Sequence, residues 1–482
     1  MRKVFKTVVP IVLAGLTVAA PALAQMGGGM GGGGMGGGGM GGHHRGGGQR
    51  GGHRAGRAGP GAEPQGPLLP PAVIPLAMRL TGAVVVMGES KTLSHAPLAA
   101  DKPDYSAVFV SRGGQVTLDT MQVESHGAAS LLSDTRDVGI NSALLVNGAS
   151  RATVTGGSIA TTGQGGNGAY ADGAGSHLAI QGTTISTLAS GAYGLDIVHA
   201  ATLDARDLTI STQSDHAPAI GGDDGGAVTL NGGTYTTGGP SSPVLMIGND
   251  LAASGITGSA ARSDGLVLTG THTVTLNDSR LSADRYAVMV DGDDATPAAG
   301  GAVPAEALLT PPADDGSQIT ISGGRLDGHS AVMSVVNAYA HIVLTQVDLH
   351  SEGGVIIRAA AGTTGTLGRN GGVAVVEAHG QTLDGDLAAD VISAVRLHLS
   401  DNSHLTGTAT HRVDVALDGT STWVLTGDSG VGALSVYGVT SPDQITQIDS
   451  QGHTLSYDDT RNPWLGGKTW PLKGGGTLTP GI

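Results

Sequence analysis

The chain repeats a short pattern of apolar and polar positions along most of its length. Apolar residues occupy the first, third and eighth positions of an octet whose middle positions are small or polar. The clearest copies are Val228-Thr-Leu230-Asn-Gly-Gly-Thr-Tyr235, Val274-Thr-Leu276-Asn-Asp-Ser-Arg-Leu281 and Ile319-Thr-Ile321-Ser-Gly-Gly-Arg-Leu326. Further octets begin at Val116, Ala152, Leu178, Ala201, Ile342, Val376 and Trp423, with a stretched copy at Leu397. Recurrence of one short unit predicts a repeat architecture.

The octet also predicts which repeat architecture forms. Alternation of apolar residues with Thr or Ser is typical of a strand with one buried face, and the Asn-Gly and Gly-Gly pairs that follow favour turns. The octets at Leu178 and Ala201 have the same spacing as those at Ile319 and Ile342, and Val228 and Val274 lie twice that spacing apart. These features predict an all-β parallel β-helix of about 13–15 turns, each rising ~4.8 Å. The right-handed form is assumed because it is the commoner one.

Composition supports this interpretation. Glycine provides 83 of the 482 residues, and aromatic residues only 3%. The interior of a β-helix is narrow and is filled by stacked aliphatic residues, whereas an ordinary globular domain of this length has more aromatic residues in its core. The chain has no cysteine, which excludes disulfides, zinc-thiolate sites and thiol catalysis.

The N-terminus has the pattern of a signal peptide. Arg2, Lys3 and Lys6 precede an apolar stretch at 8–20, and Ala22-Leu-Ala24 has the small residues of a cleavage site. Residues 1–24 are therefore expected to be removed on export. The expected location is extracellular, periplasmic or at the cell surface of a Gram-negative-type bacterium.

Residues 25–77 are predicted to form a disordered tether rich in Gly, Met, His and Pro. Residues 25–60 include 20 glycines and have almost no apolar surface to bury. One hypothesis is copper or nickel capture, because thioethers suit Cu(I) and imidazoles suit Cu(II) or Ni(II). The candidate ligands are Met30, Met35, Met40, His43, His44 and His53. The alternatives are a basic arm, with four interleaved arginines, and a plain spacer.

Charge changes sign after the tether. Residues 61–482 have 40 Asp and Glu against 18 Lys and Arg, a net charge of −22. An acidic surface repels phosphate backbones, so the β-helix is not expected to bind nucleic acid. Expected partners are an extracellular surface, a polysaccharide or a protein ligand.

Two groups of carboxylates are candidate calcium ligands, because Ca²⁺ takes six to eight oxygens from flexible loops. They are Asp223 with Asp224, and Asp291 with Asp293 and Asp294. Paired carboxylates also act as acid and base in glycoside hydrolysis. Asp is equally a common turn residue, and no catalytic residue is assigned.

A segment near the C-terminus resembles a known family. Ser421-Thr-Trp-Val-Leu-Thr-Gly-Asp-Ser-Gly-Val-Gly-Ala-Leu-Ser-Val436 is similar to the junction segment of pertactin-like autotransporter passengers. The resemblance implies a right-handed β-helix, expected at 78–445, and a stable C-terminal end, expected as capping strands at 446–482. Autotransporters continue into a membrane β-barrel, which is not expected in the few residues up to Ile482. A separate outer-membrane exporter is therefore a possible partner.

The resemblance implies a non-catalytic, adhesin-like or structural protein at the cell surface. The alternative functions are a polysaccharide lyase or glycoside hydrolase acting on acidic glycans, and metal capture by the tether. Within the segment, Gly427-Asp-Ser-Gly430 resembles the nucleophile motif of serine proteases. That chemistry needs a histidine base and an aspartate brought within hydrogen-bond reach. Because no matching histidine motif precedes it, the tetrapeptide is interpreted as a turn.

Overall fold

The predicted β-helix is confirmed in a computed structural model, which describes residues 79–292, 316–410 and 412–481. These residues belong to one compact unit, Pro71–Ile482. They form a right-handed parallel β-helix of about 15 turns with almost no helix. Most turns contribute one strand to each of three long parallel sheets, which are named A, B and C below.

The strands follow each other along the solenoid in chain order. Sheet A contains Gly82–Met87, Ser106–Ser111, Leu144–Val146, Ala169–Asp172, Leu195–Val198, Ile220–Asp223, Leu245–Ile247, Leu266–Thr269, Tyr286–Asp291, Ala331–Val336, Val355–Ala360 and Asp386–Ala389. Sheet B contains Ser90–Ser94, Gln115–Asp119, Arg151–Thr155, His177–Gln181, Thr202–Arg206, Ala227–Asn231, Asp250–Ser254, Thr273–Asn277, Ser317–Ser322, Tyr339–Thr345, Val373–His379, Ala394–Ser400, Val413–Leu417 and Leu434–Val436. Sheet C contains Pro97–Ala100, Gln122–Ser125, Ser158–Thr161, Thr184–Thr187, Thr209–Thr212, Thr234–Thr237, Thr257–Ala260, Arg280–Ala283, Arg325–Gly328 and Asp348–Ser351.

Two smaller sheets lie towards the C-terminus. Sheet D contains Thr382–Asp384, His404–Thr406, Thr422–Val424 and Ile448–Asp449. Sheet E contains Ser429–Val431, Thr454–Tyr457, Thr477–Pro480 and Trp470–Pro471. The helices of the described residues are helix α1 at Leu132–Val138 and two 3₁₀ helices at Pro442–Gln444 and Pro463–Leu465.

One octet spans two sheets and the corner between them. Val228 and Leu230 are buried in a strand of sheet B, and Tyr235 is buried in the next strand, which belongs to sheet C. Gly232 and Gly233 form the corner with φ values of 66° and 98°. A positive φ is strained for most residues and unstrained for glycine, which explains the Gly-Gly pair after the first strand.

The octets stack in register, as their spacing predicts. Leu230, Leu276, Ile321 and Leu344 are all buried and lie in one column of sheet B, with Ala253 between the first two. Each of these residues packs against the turn before and the turn after it. The column therefore forms a continuous aliphatic core.

Two of the predicted octets have the wrong register. Leu178 pairs with Leu203 and not with Ala201. This turn therefore exceeds its predicted length by the distance from Ala201 to Leu203. Trp423 pairs with Leu405 in sheet D and thus occupies the position that ends an octet. It closes the turn whose first strand contains Val415. The first error arises because a corner can lengthen by two residues without changing the alternation of apolar residues. The second arises because Trp423 was assigned to the first strand of an octet, whereas it lies in the last.

Buried threonines close the corner between sheets C and A in four successive turns. In each turn the hydroxyl group donates to a backbone carbonyl further along the same corner. The four pairs are Thr161 with Gly166, Thr187 with Ala192, Thr212 with Ala217 and Thr237 with Ser242. Buried carbonyl groups need such partners, so this ladder stabilises the loops that lead back to sheet A.

The C-terminal residues complete the solenoid with a short antiparallel pair. Trp470–Pro471 runs antiparallel to Thr477–Pro480, which itself pairs in parallel with Thr454–Tyr457. Trp423 is fully buried, and its indole N–H donates to the carbonyl of Gly407 over 3.0 Å. Ser429, from the protease-like tetrapeptide, is buried, and its hydroxyl donates to the carbonyl of Gly427.

Candidate functional site

The outer face of sheet A has two neighbouring columns of side chains at its centre. In a strand every second residue points outward. One column contains Tyr170, Asp196, Gly221 and Met246, which pair in register from turn to turn. Two residues further along the strands, a second column contains Asp172, Val198 and Asp223.

The segment 126–143, which includes helix α1, covers the first turns of this face. Beneath it lies a small apolar cluster separate from the main core, and helix α1 was not predicted from the sequence. The cluster consists of Leu80, Phe109, Ile140, Leu145, Tyr170 and Val198, with Ala129 and Val138 packed against it. The hydroxyl of Tyr170 donates to the carbonyl of Arg136 over 2.5 Å. Sheet A thus has a buried outer face where the segment covers it.

Asp196 lies at the border of this covered region and is itself buried, with 5% of its surface exposed. Burial and the negative charge of Asp223 raise the pKa of Asp196 to about 7, against the opposing effect of Arg136. The ring of Tyr193 lies over Gly221, with Cδ2 2.5 Å from where a Cβ would be. Burial also raises the pKa of Tyr193 to about 12. A carboxyl group whose pKa lies near 7 is therefore enclosed beside two tyrosines.

His199 joins the carboxylates of the neighbouring turns. Its Nδ1 lies 2.7 Å from Oδ1 of Asp172, and its Nε2 lies 3.4 Å from Oδ2 of Asp224. The hydrogen bond to Asp172 raises the pKa of the imidazole. We call Asp172, Asp196, His199, Asp223 and Asp224 the Asp196 patch. It combines an enclosed acid with a histidine that faces two carboxylates, a combination suited to proton transfer.

The structure brings only part of the predicted calcium ligands together. Asp223 and Asp224 belong to the Asp196 patch. Asp291 lies on the same edge of sheet A but is separated from Asp223 by the turns of Gly248 and Thr269, or roughly 14 Å at ~4.8 Å per turn. The other predicted metal ligands lie outside the described residues: Asp293, Asp294, Met30, Met35, Met40, His43, His44 and His53.

In the part of the chain that the structure describes, no group of three or more His, Asp or Glu side chains could hold a metal ion. Calcium coordination also uses backbone carbonyls and water. Clusters of His, Asp and Glu side chains alone do not test sites of that kind. The calcium hypothesis for Asp223, Asp224 and Asp291 therefore stays a prediction.

Sheet C has a different outer face. Four successive strands present two in-register columns of hydroxyl side chains, which we call the hydroxyl plateau. One column is Thr184, Thr209, Thr234 and Thr257, and the other is Ser186, Ser211, Thr236 and Ser259. Neighbouring hydroxyl residues are spaced ~4.8 Å between turns and roughly 6.6 Å along a strand. The plateau is thus a regular, uncharged surface on an acidic protein.

The outer face of sheet B has a chain of polar contacts across several turns. His341 lies between Gln318 and Glu377, with Nδ1 2.9 Å from the amide oxygen and Nε2 2.9 Å from the carboxylate. His379 continues the chain, with Nε2 3.6 Å from Glu377 and Nδ1 3.1 Å from Asp401. This network holds side chains of successive turns together.

Asp196, His199 and the hydroxyl plateau were not predicted from the sequence. A signal existed for Asp196, because it interrupts the aliphatic run from Leu195 to Val198. The plateau is also visible as Thr-Ile-Ser-Thr at residue 184, the same tetrapeptide at 209 and Thr-Tyr-Thr-Thr at 234. Neither signal indicates which residues meet across turns.

No protein-family model matches the chain, and no curated protein is significantly similar to it. Among the described residues there is no helix of the length and apolarity needed to cross a membrane.

We predict that Asp196→Asn removes a pH dependence of stability. The raised pKa means that the unfolded chain loses the Asp196 proton from about pH 4 upward, while the folded chain keeps it to about pH 7. Wild-type stability should therefore fall across this window, by at most about 4 kcal/mol at ~1.4 kcal/mol per pH unit, and then level off. The variant should match wild type at pH 4 and exceed it at pH 8.

Chemical denaturation at several pH values measures this effect. Asp204→Asn is the matched control, because its side chain on sheet B is 64% exposed. Parallel pH profiles for wild type and Asp196→Asn would show that the enclosed carboxyl group does not have the raised pKa.

Proposed function

We propose that this is an exported, non-catalytic, adhesin-like β-helix protein that binds a neutral polysaccharide through the hydroxyl plateau. The observation that supports this function is the register of the plateau over four consecutive turns. A polymer with repeating hydroxyl groups can form many hydrogen bonds with such a surface at once. Each bond is weak, but together they increase the affinity. The net charge of −22 on residues 61–482 opposes binding of anionic polymers.

The resemblance to pertactin-like passengers supports a cell-surface or extracellular location for this function. Ser421–Val436, which carries the resemblance, contributes strands to sheets D, E and B near the end of the solenoid. Trp423 fills the core there. A firmly packed end is what the resemblance implies for a passenger that folds during export.

We predict that removing the plateau hydroxyls weakens binding to polysaccharide. The variant combines Thr184→Val, Thr209→Val, Thr234→Val and Thr257→Val, which preserve side-chain shape. Each lost hydrogen bond contributes about 0.5–1.5 kcal/mol, so affinity should fall at least about tenfold. Depletion isotherms on insoluble cellulose, chitin and mannan measure the change.

A matched control uses four threonines that belong to one column on the outer face of sheet B. The control variant combines Thr117→Val, Thr153→Val, Thr229→Val and Thr275→Val. We expect it to bind like wild type. Absence of wild-type binding to all three polymers, or equal losses in both variants, would contradict the proposed function.

The Asp196 patch favours a second candidate function, cleavage of acidic glycans. Glycoside hydrolysis uses one protonated and one ionised carboxyl group. Asp196 and Asp223 are diagonal neighbours on one face, roughly 8 Å apart at Cα. The Tyr193 ring and the low exposure of Asp196 oppose direct contact with a polymer. This is why the non-catalytic function is preferred.

Incubation with pectin and alginate, with and without calcium, separates the two functions. A cleaving enzyme releases reducing or unsaturated sugar ends, and Asp196→Asn abolishes that release. Release by the wild-type protein would overturn the non-catalytic proposal.

A further inference from the structure

The outer face of sheet B has an open groove over four successive turns, with a volume of about 320 Å³. Ala179 lies at its floor, in register between Thr153 of the turn before and Asp204 of the turn after. Leu178 and Ile180 on either side are buried, so Ala179 points outward. A short side chain between two longer ones leaves a depression at this position.

A column of polar side chains lies along one side of this groove, two residues further along each strand. Its members, which pair in register from turn to turn, are Thr155, Gln181, Arg206 and Asn231. At ~4.8 Å per turn the column extends over roughly 14 Å. Asp204 adds a carboxylate at the edge of the groove, with Oδ2 3.6 Å from Nε2 of His177. We call this depression and its polar side chains the Arg206 groove.

The main polar side chains of the Arg206 groove are not engaged with their neighbours. Among the described residues, the side chains of Gln181, Arg206 and Asn231 form no hydrogen bond or ion pair. Further along the same face, by contrast, His341 contacts both Gln318 and Glu377. The groove therefore presents a guanidinium and two amide groups whose donors are available to a ligand.

We propose that the Arg206 groove binds an acidic sugar unit, with Arg206 holding the carboxylate. A guanidinium binds a carboxylate through two parallel hydrogen bonds. The hydroxyl groups of a sugar ring both donate and accept, so they match the amides of Gln181 and Asn231 and the carboxylate of Asp204. The volume of the groove is at the lower end of the range for small-molecule sites, ~300–1,000 Å³, which limits the ligand to about one or two sugar units.

The acidic charge of the chain is compatible with such a ligand. The net charge of −22 on residues 61–482 repels a long anionic polymer. Charges separated by more than about 10 Å are largely screened at ~0.1 M salt, so a single carboxylate interacts mainly with the groups of the groove. The site is independent of the hydroxyl plateau, which lies on sheet C and is proposed to bind neutral polymers.

Calorimetric titration of the full chain with digalacturonate in calcium-free buffer tests this site. Arg206→Ala removes the contact to the carboxylate, and Ala179→Gln fills the groove without a change of charge. Each variant should bind digalacturonate at least about tenfold more weakly than wild type, because a charge-assisted hydrogen bond or the space for the sugar is lost. Wild type should bind galactobiose, the neutral counterpart, at least about tenfold more weakly than digalacturonate.

Two control substitutions match these variants. Ala252→Gln makes the same change in the same column as Ala179 but outside the groove, and Arg280→Ala removes an exposed arginine from sheet C. Both should bind digalacturonate like wild type. Absence of saturable binding by wild type, equal affinity for galactobiose, or unchanged affinity in Arg206→Ala would overturn the proposal. Equally tight binding of acetate would show that the groove recognises a carboxylate without the sugar, and would overturn it as well.

Discussion

Replacing Leu276 with aspartate is expected to lower the free energy of unfolding by about 4 kcal/mol or more. Leu276 is fully buried and lies in the aliphatic column between Ala253 and Ile321. An aspartate there has no cationic partner in the described core, and its neighbours belong to the turns on both sides. The expected result is a chain that unfolds at much lower denaturant or fails to fold.

Asn277→Asp is the matched control, because the next residue points outward and is exposed. It adds the same charge one position away, and surface substitutions are usually within about 0.5 kcal/mol. Urea denaturation followed by circular dichroism measures both variants. Equal stability of the two variants would contradict the assignment of Leu276 to the inward face of this strand.

Replacing Arg461 with alanine is expected to lower the stability of the C-terminal turns by about 3 kcal/mol. Its Nη1 lies 2.8 Å from Oδ1 of Asp414, and its Nη2 lies 2.8 Å from Oδ2. The Asp414 side chain is 4% exposed, so loss of the guanidinium leaves a buried carboxylate. Arg396, whose Nε is 3.9 Å from Asp414, compensates for part of the loss.

The matched control is Arg325→Ala, which removes an ion pair from the surface. Arg325 contacts Asp327 and Asp348, whose side chains are 29% and 60% exposed. Solvent screens such pairs, and their removal costs about 1 kcal/mol or less. Hydrogen exchange of Val413–Leu417 and Leu434–Val436 reports the local effect. A smaller loss for Arg461→Ala than for the control would show that the buried pair does not hold the last turns together.

Only part of the candidate site could be predicted from the sequence. Asp223 and Asp224 were predicted as calcium ligands because they are adjacent acids in the sequence, and they lie in the Asp196 patch. The residues that give the patch its chemistry, Asp172, Asp196 and His199, come from other turns. They meet because successive turns stack in register, and a single turn contains no information about that register.

The lengths of the corners between strands could not be predicted from the sequence either. Alternation identified the buried residues correctly at Leu178 and Leu203, whereas the assumption of one constant period placed the next octet at Ala201. A corner can gain or lose an even number of residues without changing which side chains point inward. The length of each turn is therefore decided by how its loop packs, as with the threonine ladder at the corners between sheets C and A.

The sequence by itself determined the fold class and the inner face of most strands. It could do so because each turn of a β-helix packs only against its neighbours, so local alternation specifies the core. The tertiary structure alone decided the exact register, the cover of sheet A by helix α1 and the environment of Asp196. Those features depend on contacts between residues of different turns, and burial by such contacts is what raises the pKa of an ordinary aspartate.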